Sequence, residues 1–119
     1  MKSESELTRL WCAKLEACGA SVLPVVAGMR GRSGWPDRFI ASAGVGVWIE
    51  FKGPRGKLSP LQRSVILGLI GNQQHVYVGR FVEYDDGNVY LVLEHPLTQA
   101  KLAECKDTQA LLNFLYQIK

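Results

Sequence analysis

This chain is sparing with cysteine, histidine and long apolar runs, and each shortage excludes a class of protein. Its three cysteines, Cys12, Cys18 and Cys105, form no CxxC pair and lack zinc-site spacing, which sets structural zinc aside. The odd count fits reduced thiols. Cys12 and Cys18 fall on the apolar side of the first expected helix, where Cys packs as a small hydrophobe. His75 and His95 are isolated and read as surface or satisfied histidines, and no nucleophile elbow or Cys–His signature is present. No apolar stretch is long enough for a bilayer, so no membrane association is expected. The opening MKSESEL lacks a signal peptide's apolar core, and a cytoplasmic location is the expectation. Internal repeats, low-complexity tracts and linkers are absent as well.

What remains is 119 residues with 47% apolar and 21% charged positions, which suits one globular domain with a single core. The net charge of +3 is too small to imply nucleic acid by itself. Its distribution says more. Arg30, Arg32, Arg38 and Lys52, then Arg55, Lys57 and Arg63, crowd one segment against only two acids, Asp37 and Glu50. A positive field around two carboxylates suits a polyanion brought to a metal site. A solvated basic surface is the plainer alternative.

Apolar residues recur at Leu7, Leu10, Trp11, Leu15 and Cys18, which predicts a helix from Ser3 to Cys18. Ser3-x-x-Glu6 has capping-box form, and Gly19 is a plausible stop. SVLPVV predicts a strand that Pro24 places at a sheet edge. After a Gly- and Arg-rich loop, residues 37–42 and 45–52 predict two strands joined at Ala43-Gly44. Ser59-Pro60 supplies an N-cap and first-turn proline for a helix to about Ile70. HVYVGR predicts a fourth strand, and FVEYDDGNVYLVLE a hairpin turning at Asp86-Gly87-Asn88. From Pro96 one or two short helices are expected, the second starting near Asp107. The order is αβββαβ with an appendage: an α/β fold with a mixed central sheet flanked by helices. The core covers about 4–80, and a C-terminal β-hairpin and helical appendage covers about 81–119.

Strand alternation places Val45, Val47, Ile49 and Phe51 on one face, and Gly46, Trp48, Glu50 and Lys52 on the other. If Ala43-Gly44 is a two-residue turn, position 37 opposes position 50, and Asp37 and Glu50 converge within roughly 5 Å at Cβ. Two such carboxylates repel unless compensated, and hard oxygen ligands suit Mg²⁺ or Mn²⁺. Lys52 beside them could orient the attacking water or stabilise negative charge on a phosphate. The modest alternative is a Glu–Lys pair at a strand end, worth under about 1 kcal/mol. The segment Gly53-Pro-Arg-Gly56-Lys57 fails as a phosphate loop, because its Gly spacing is short and Leu58 replaces Ser/Thr. It reads better as a basic turn facing a DNA backbone. Trp35 reads as packing rather than as a base-stacking platform.

Pro36-Asp37…Glu50-Phe51-Lys52 resembles the PD-(D/E)XK nuclease signature. The wider pattern resembles the VRR-NUC family, especially its standalone phage and bacterial members. It comprises Glu4 before the helix, GRSGWPDRF, WIEFKGPRGKLSPLQ and HVYVGR, over roughly residues 4–80. The resemblance implies a restriction-endonuclease-like core with Asp37, Glu50 and the Phe51 carbonyl as metal ligands and Lys52 as the catalytic lysine. It implies supporting roles for Gln62 and Glu4, with Glu4 a further ligand candidate. Positions 4, 7, 11 and 15 share a helix stripe, whereas Glu6 is taken up by capping. Thr8 stands where many relatives carry an acid or Gln. Arg30, Arg32, Arg38, Arg55, Lys57 and Arg63 are then the DNA-contacting candidates.

The implied activity is metal-dependent, structure-selective DNA endonuclease action, with a homodimer resolving four-way (Holliday) junctions. The alternatives are a flap, fork or end-processing nuclease in replication or repair, or a non-catalytic DNA-binding module. A tail carrying Leu97, Leu102, Leu111 and Leu112, then Phe114, Leu115 and Tyr116, offers apolar surface for a dimer contact.

Overall fold

A computed structural model describes residues 1–25 and 33–118, so Arg30 and Arg32 lie outside the described residues. The elements in order are α1 (Glu4–Ala17), β1 (Ser21–Pro24), β2 (Arg38–Ser42), β3 (Val45–Lys52), α2 (Pro60–Gly71), β4 (His75–Glu83), β5 (Val89–Glu94), β6 (Lys101–Cys105) and α3 (Thr108–Tyr116). One six-stranded sheet runs β1-β2-β3-β4-β5-β6 in sequence order. Every pair is antiparallel except β3–β4. A parallel pair needs a long crossover, and α2 supplies it. The α/β class and mixed sheet expected from the sequence are both present. Among the described residues no helix is long and apolar enough to cross a membrane.

Side-chain alternation divides the sheet into two faces. Val45, Val47, Ile49 and Phe51 of β3 join Ile40, Phe81, Leu91 and Leu93 in one core. Leu7, Trp11 and Leu15 of α1, with Leu111, Leu112 and Leu115 of α3, belong to that core. Phe51 stacks on Phe81 at 5.6 Å, and Trp11 meets Phe81 edge-on at 6.1 Å. Each such side chain contributes about 1.5–3 kcal/mol on burial. The other face carries α2, of which only Ile66 is buried. Gly46 lies under the Phe39 ring, where a Cβ would sit 2.5 Å from Cζ. Trp48 packs against both Phe39 and Trp35, so Trp35 is a packing residue in the described structure.

Several sequence expectations need correction. Lys101–Cys105 is a strand rather than a helix, paired to β5 with a bulge at Leu93/Glu94. Five residues with one buried side chain carry almost no periodic signal, and pairing to an open sheet edge decides their state. The expected fourth strand and the first arm of the hairpin are one continuous β4, which turns back through residues 84–88. Cys18 is exposed at the C-cap of α1, while Cys12 is buried as expected. Ser3 caps α1 by accepting from the Glu6 N–H, but its hydroxyl donates to Glu6 Oε1, so half of the capping box forms. Part of the tail covers the core through leucines 111, 112 and 115, leaving Leu102 and Tyr116 as its exposed large apolar residues. Pro24 does sit on an edge strand.

Candidate active site

The site begins with a turn. Ala43 and Gly44 have φ of 53° and 84°, the left-handed pair required by a type I′ two-residue hairpin. That turn sets the β2–β3 register from Ser42↔Val45 to Arg38↔Ile49. One step further, Asp37 and Glu50 face each other, and the Asp37 backbone N–H donates to Glu50 Oε1 at 3.0 Å. The Asp37 carbonyl accepts from Val25 N–H at 2.8 Å, so the main chain of this acid is tied on two sides.

Asp37 Oδ1 is buried without a hydrogen-bond partner among the described residues. Burial, then the Glu50 charge, push the Asp37 carboxyl up to about 7, against the pull of Arg38 and the Phe51 backbone N–H. Glu50 is 5% exposed, and burial raises its carboxyl too, offset by Lys52, Gln62 and the Asp37 N–H. Lys52 Nζ lies 3.3 Å from Glu50 Oε2. The ammonium pairs with Glu50, whereas for Asp37 burial and the Glu50 charge outweigh what Arg38 and the Phe51 N–H supply.

Gln62 organises this group from the first turn of α2. Its N–H donates to Ser59 Oγ, and its Oε1 accepts the Ser59 N–H at 2.9 Å, a complete capping box. Its Nε2 then donates to Glu50 Oε2 at 3.0 Å, and its Oε1 accepts from Lys52 Nζ at 3.4 Å. The helix cap therefore orients the Glu50–Lys52 pair. From the opposite face, Glu4 Oε2 accepts the Gly53 N–H at 2.9 Å, and its charge adds to the load on Asp37. Thr8 is buried and donates to the Glu4 carbonyl at 2.8 Å, a bond internal to α1.

One organising residue was missed in the sequence. Arg80 donates to Glu94 through Nε and Nη2 at 3.0 and 3.2 Å, and through Nη1 to the carbonyls of Gly53 and Gly56 at 2.9 and 2.7 Å. It clamps the turn that follows β3, and Gly56 in that turn lies against the Lys52 stem. Arg80 is the register partner of Lys52 in the parallel β3–β4 pair, the only signal that could have pointed to it.

The basic candidates separate. Arg55, Lys57 and Arg63 are exposed. Arg38 pairs with Ile49 on the α1 side, where its guanidinium lies beside the Cys12 thiol and donates to the Asp37 carbonyl at 2.9 Å. The structure does not bring it together with the exposed group.

A divalent cation fits the oxygen donors present. Among the described residues no three His, Cys, Asp or Glu side chains form a ready-made cage. Mg²⁺ needs less, because one or two carboxylates with water and substrate phosphate complete its shell. Asp37 Oδ1 is an acceptor with nothing to accept from among the described residues. Within a strand, N–H and C=O of one residue point to the same side. The Phe51 carbonyl therefore shares the edge on which its N–H meets the Asp37 carboxyl. No family model matches the chain, and no curated protein matches it significantly.

Proposed function

We propose that this protein is a divalent-metal-dependent DNA nuclease with a restriction-endonuclease-like core, akin to the standalone VRR-NUC enzymes. The observation that carries the proposal is the opposition of Asp37 and Glu50, one with an unpartnered buried oxygen, beside Lys52 on the same face. A pure DNA-binding module gains nothing from clustered carboxylates where phosphates must approach. The strand order β1-β2-β3-β4, with its single parallel pair after α2, supports the core assignment.

Asp37, Glu50 and the Phe51 carbonyl would hold Mg²⁺ or Mn²⁺, with Glu4 adding negative charge from α1. Bound there, the cation supplies Lewis acidity at a phosphate oxygen and lowers the pKa of water. The remaining work falls to the chain itself. Lys52 Nζ is a donor at the charge that develops on the reacting phosphate. Gln62 holds Lys52 and Glu50 in one arrangement. Arg55, Lys57 and Arg63 position the strand through its backbone.

The proposed substrate is branched DNA, and the proposed active unit is a two-fold dimer that nicks four-way junctions in pairs. Leu61 and Leu67 of α2, 53% and 59% exposed, are apolar groups that a second copy would cover. Cleavage of four-way junctions, flaps, forks and linear duplex with Mg²⁺, against chelator controls, tests both levels. Cleavage that survives chelation would remove the metal site. Equal rates on all four would remove the structural selectivity.

A further inference from the structure

A recess of about 150 Å³ lies between the loop after β3 and the loop after β5. Lys52 and Arg80 line it from the sheet, Lys57 and Arg63 from one side, Glu94 and His95 from the other. Four cationic side chains thus face one carboxylate, and Arg80 already grips that carboxylate with two hydrogen bonds. Lys57 and Arg63 have no ion pair among the described residues. His95 Nδ1 accepts from the N–H groups of Leu97 and Thr98, both at 3.2 Å. In the neutral ring the proton is thereby placed on Nε2, so His95 is available as a donor.

We propose that this recess is a phosphate subsite, which takes a phosphate group of the DNA strand next to the one being cleaved. The identity of the carrier strand rests on the nuclease reading; the anion chemistry does not. Size agrees with the assignment. At about 150 Å³ the recess is small and suits a compact anion. It falls short of the roughly 300–1,000 Å³ of pockets that enclose larger ligands. Because Lys52 lines both the recess and the acidic site, an anchored phosphate would set which neighbouring linkage meets Asp37 and Glu50.

The first test titrates metal-free protein with inorganic phosphate and follows backbone and side-chain NMR shifts. Saturable shifts at Lys57, Arg63, His95 and Gln99 are expected, with affinity about tenfold weaker in a Lys57→Gln/Arg63→Gln double variant. Shifts that never saturate, or that persist unchanged in the double variant, overturn the subsite. A second test asks which phosphate is held, using metal-free binding to short duplexes with phosphate or hydroxyl ends. A several-fold preference for phosphate ends, lost in the double variant, assigns a terminal monoester with its additional charge near pH 7. Equal affinity for both ends, lowered in the double variant, assigns an internal diester. Equal affinity that the double variant leaves intact overturns the proposal. Both tests proceed without cleavage, so an inactive protein with a saturable recess removes the nuclease reading and leaves the subsite standing.

Discussion

The backbone N–H of Asp37 holds the side chain of Glu50 at 3.0 Å, so one acid positions the other through its main chain, while its own carboxyl meets the Phe51 N–H and keeps Oδ1 without a partner among the described residues. A substitution that alters only the Asp37 side chain therefore leaves the Glu50 contact in place. Asp37→Asn should keep the fold and lose Mg²⁺-dependent cleavage to background, because it removes the unpartnered anionic oxygen. Glu50→Gln should do the same. Mn²⁺ calorimetry on both variants checks the cause, and unchanged affinity with full activity would sink the ligand assignment.

Stability of the metal-free protein should fall as pH rises from about 4 to about 7. Native Asp37 keeps its proton up to about 7, whereas in the unfolded chain it is released near 3.8. Across that window the native state binds more protons, so raising pH favours unfolding, and the loss is complete above 7. Glu50, raised in the same direction, adds to the slope. Chemical denaturation in chelator at several pH values should show a flatter profile for Asp37→Asn. At pH 7, Mn²⁺ should raise the melting temperature of the wild type and not of that variant.

Lys52→Ala should lower single-turnover cleavage by about 10²–10³ at saturating DNA, since its partner is charge that appears only as the reaction proceeds. Arg55→Gln should instead weaken binding and reduce the salt slope by about one phosphate contact. A Lys52→Ala effect confined to affinity would reverse this division of labour.

Glu94→Gln should cost about 2–3 kcal/mol, because it weakens a two-point, partly buried bond to Arg80. The loss should reach the site as well, through the carbonyls of Gly53 and Gly56 that Arg80 holds. Urea unfolding measures the first effect, and Mn²⁺ affinity at matched temperature the second.

Light scattering at micromolar concentration should give about twice the 13.2 kDa chain mass. Leu67→Lys on the outer face of α2 should return the protein to monomer mass, and paired nicking of junctions should go with it. A wild-type monomer that cuts four-way junctions at full rate would exclude the dimer.

Much of the site was legible because its determinants are local. Turn length and strand alternation together place Asp37, Glu50 and Lys52, and the Ser59 cap places Gln62. The missed features depend on partners distant in sequence. Arg80 is an ordinary strand residue until Lys52 lies beside it across a parallel pair and Glu94 across an antiparallel one. Lys101–Cys105 becomes a strand because β5 offers a free edge, not because of its composition. The Arg38 side chain leaves the basic surface for the α1 side, where it lies beside Cys12 and bonds the Asp37 carbonyl, as strand alternation required once position 37 was given to the site. The tail's apolar residues had to be divided between core cover and a dimer contact, and α3 uses Leu111, Leu112 and Leu115 to cover the same sheet face as α1.

The Ala43-Gly44 turn also governs where this chain can change in length. Adding one residue there would slip β2 against β3 and turn the Asp37 carboxyl toward α1, parting it from Glu50 at a stroke. The loop from Tyr84 to Asn88, closed by its own hydrogen bonds and shared with no site residue, carries no such constraint. Peptide insertions, fluorophore attachment or new chain termini belong there.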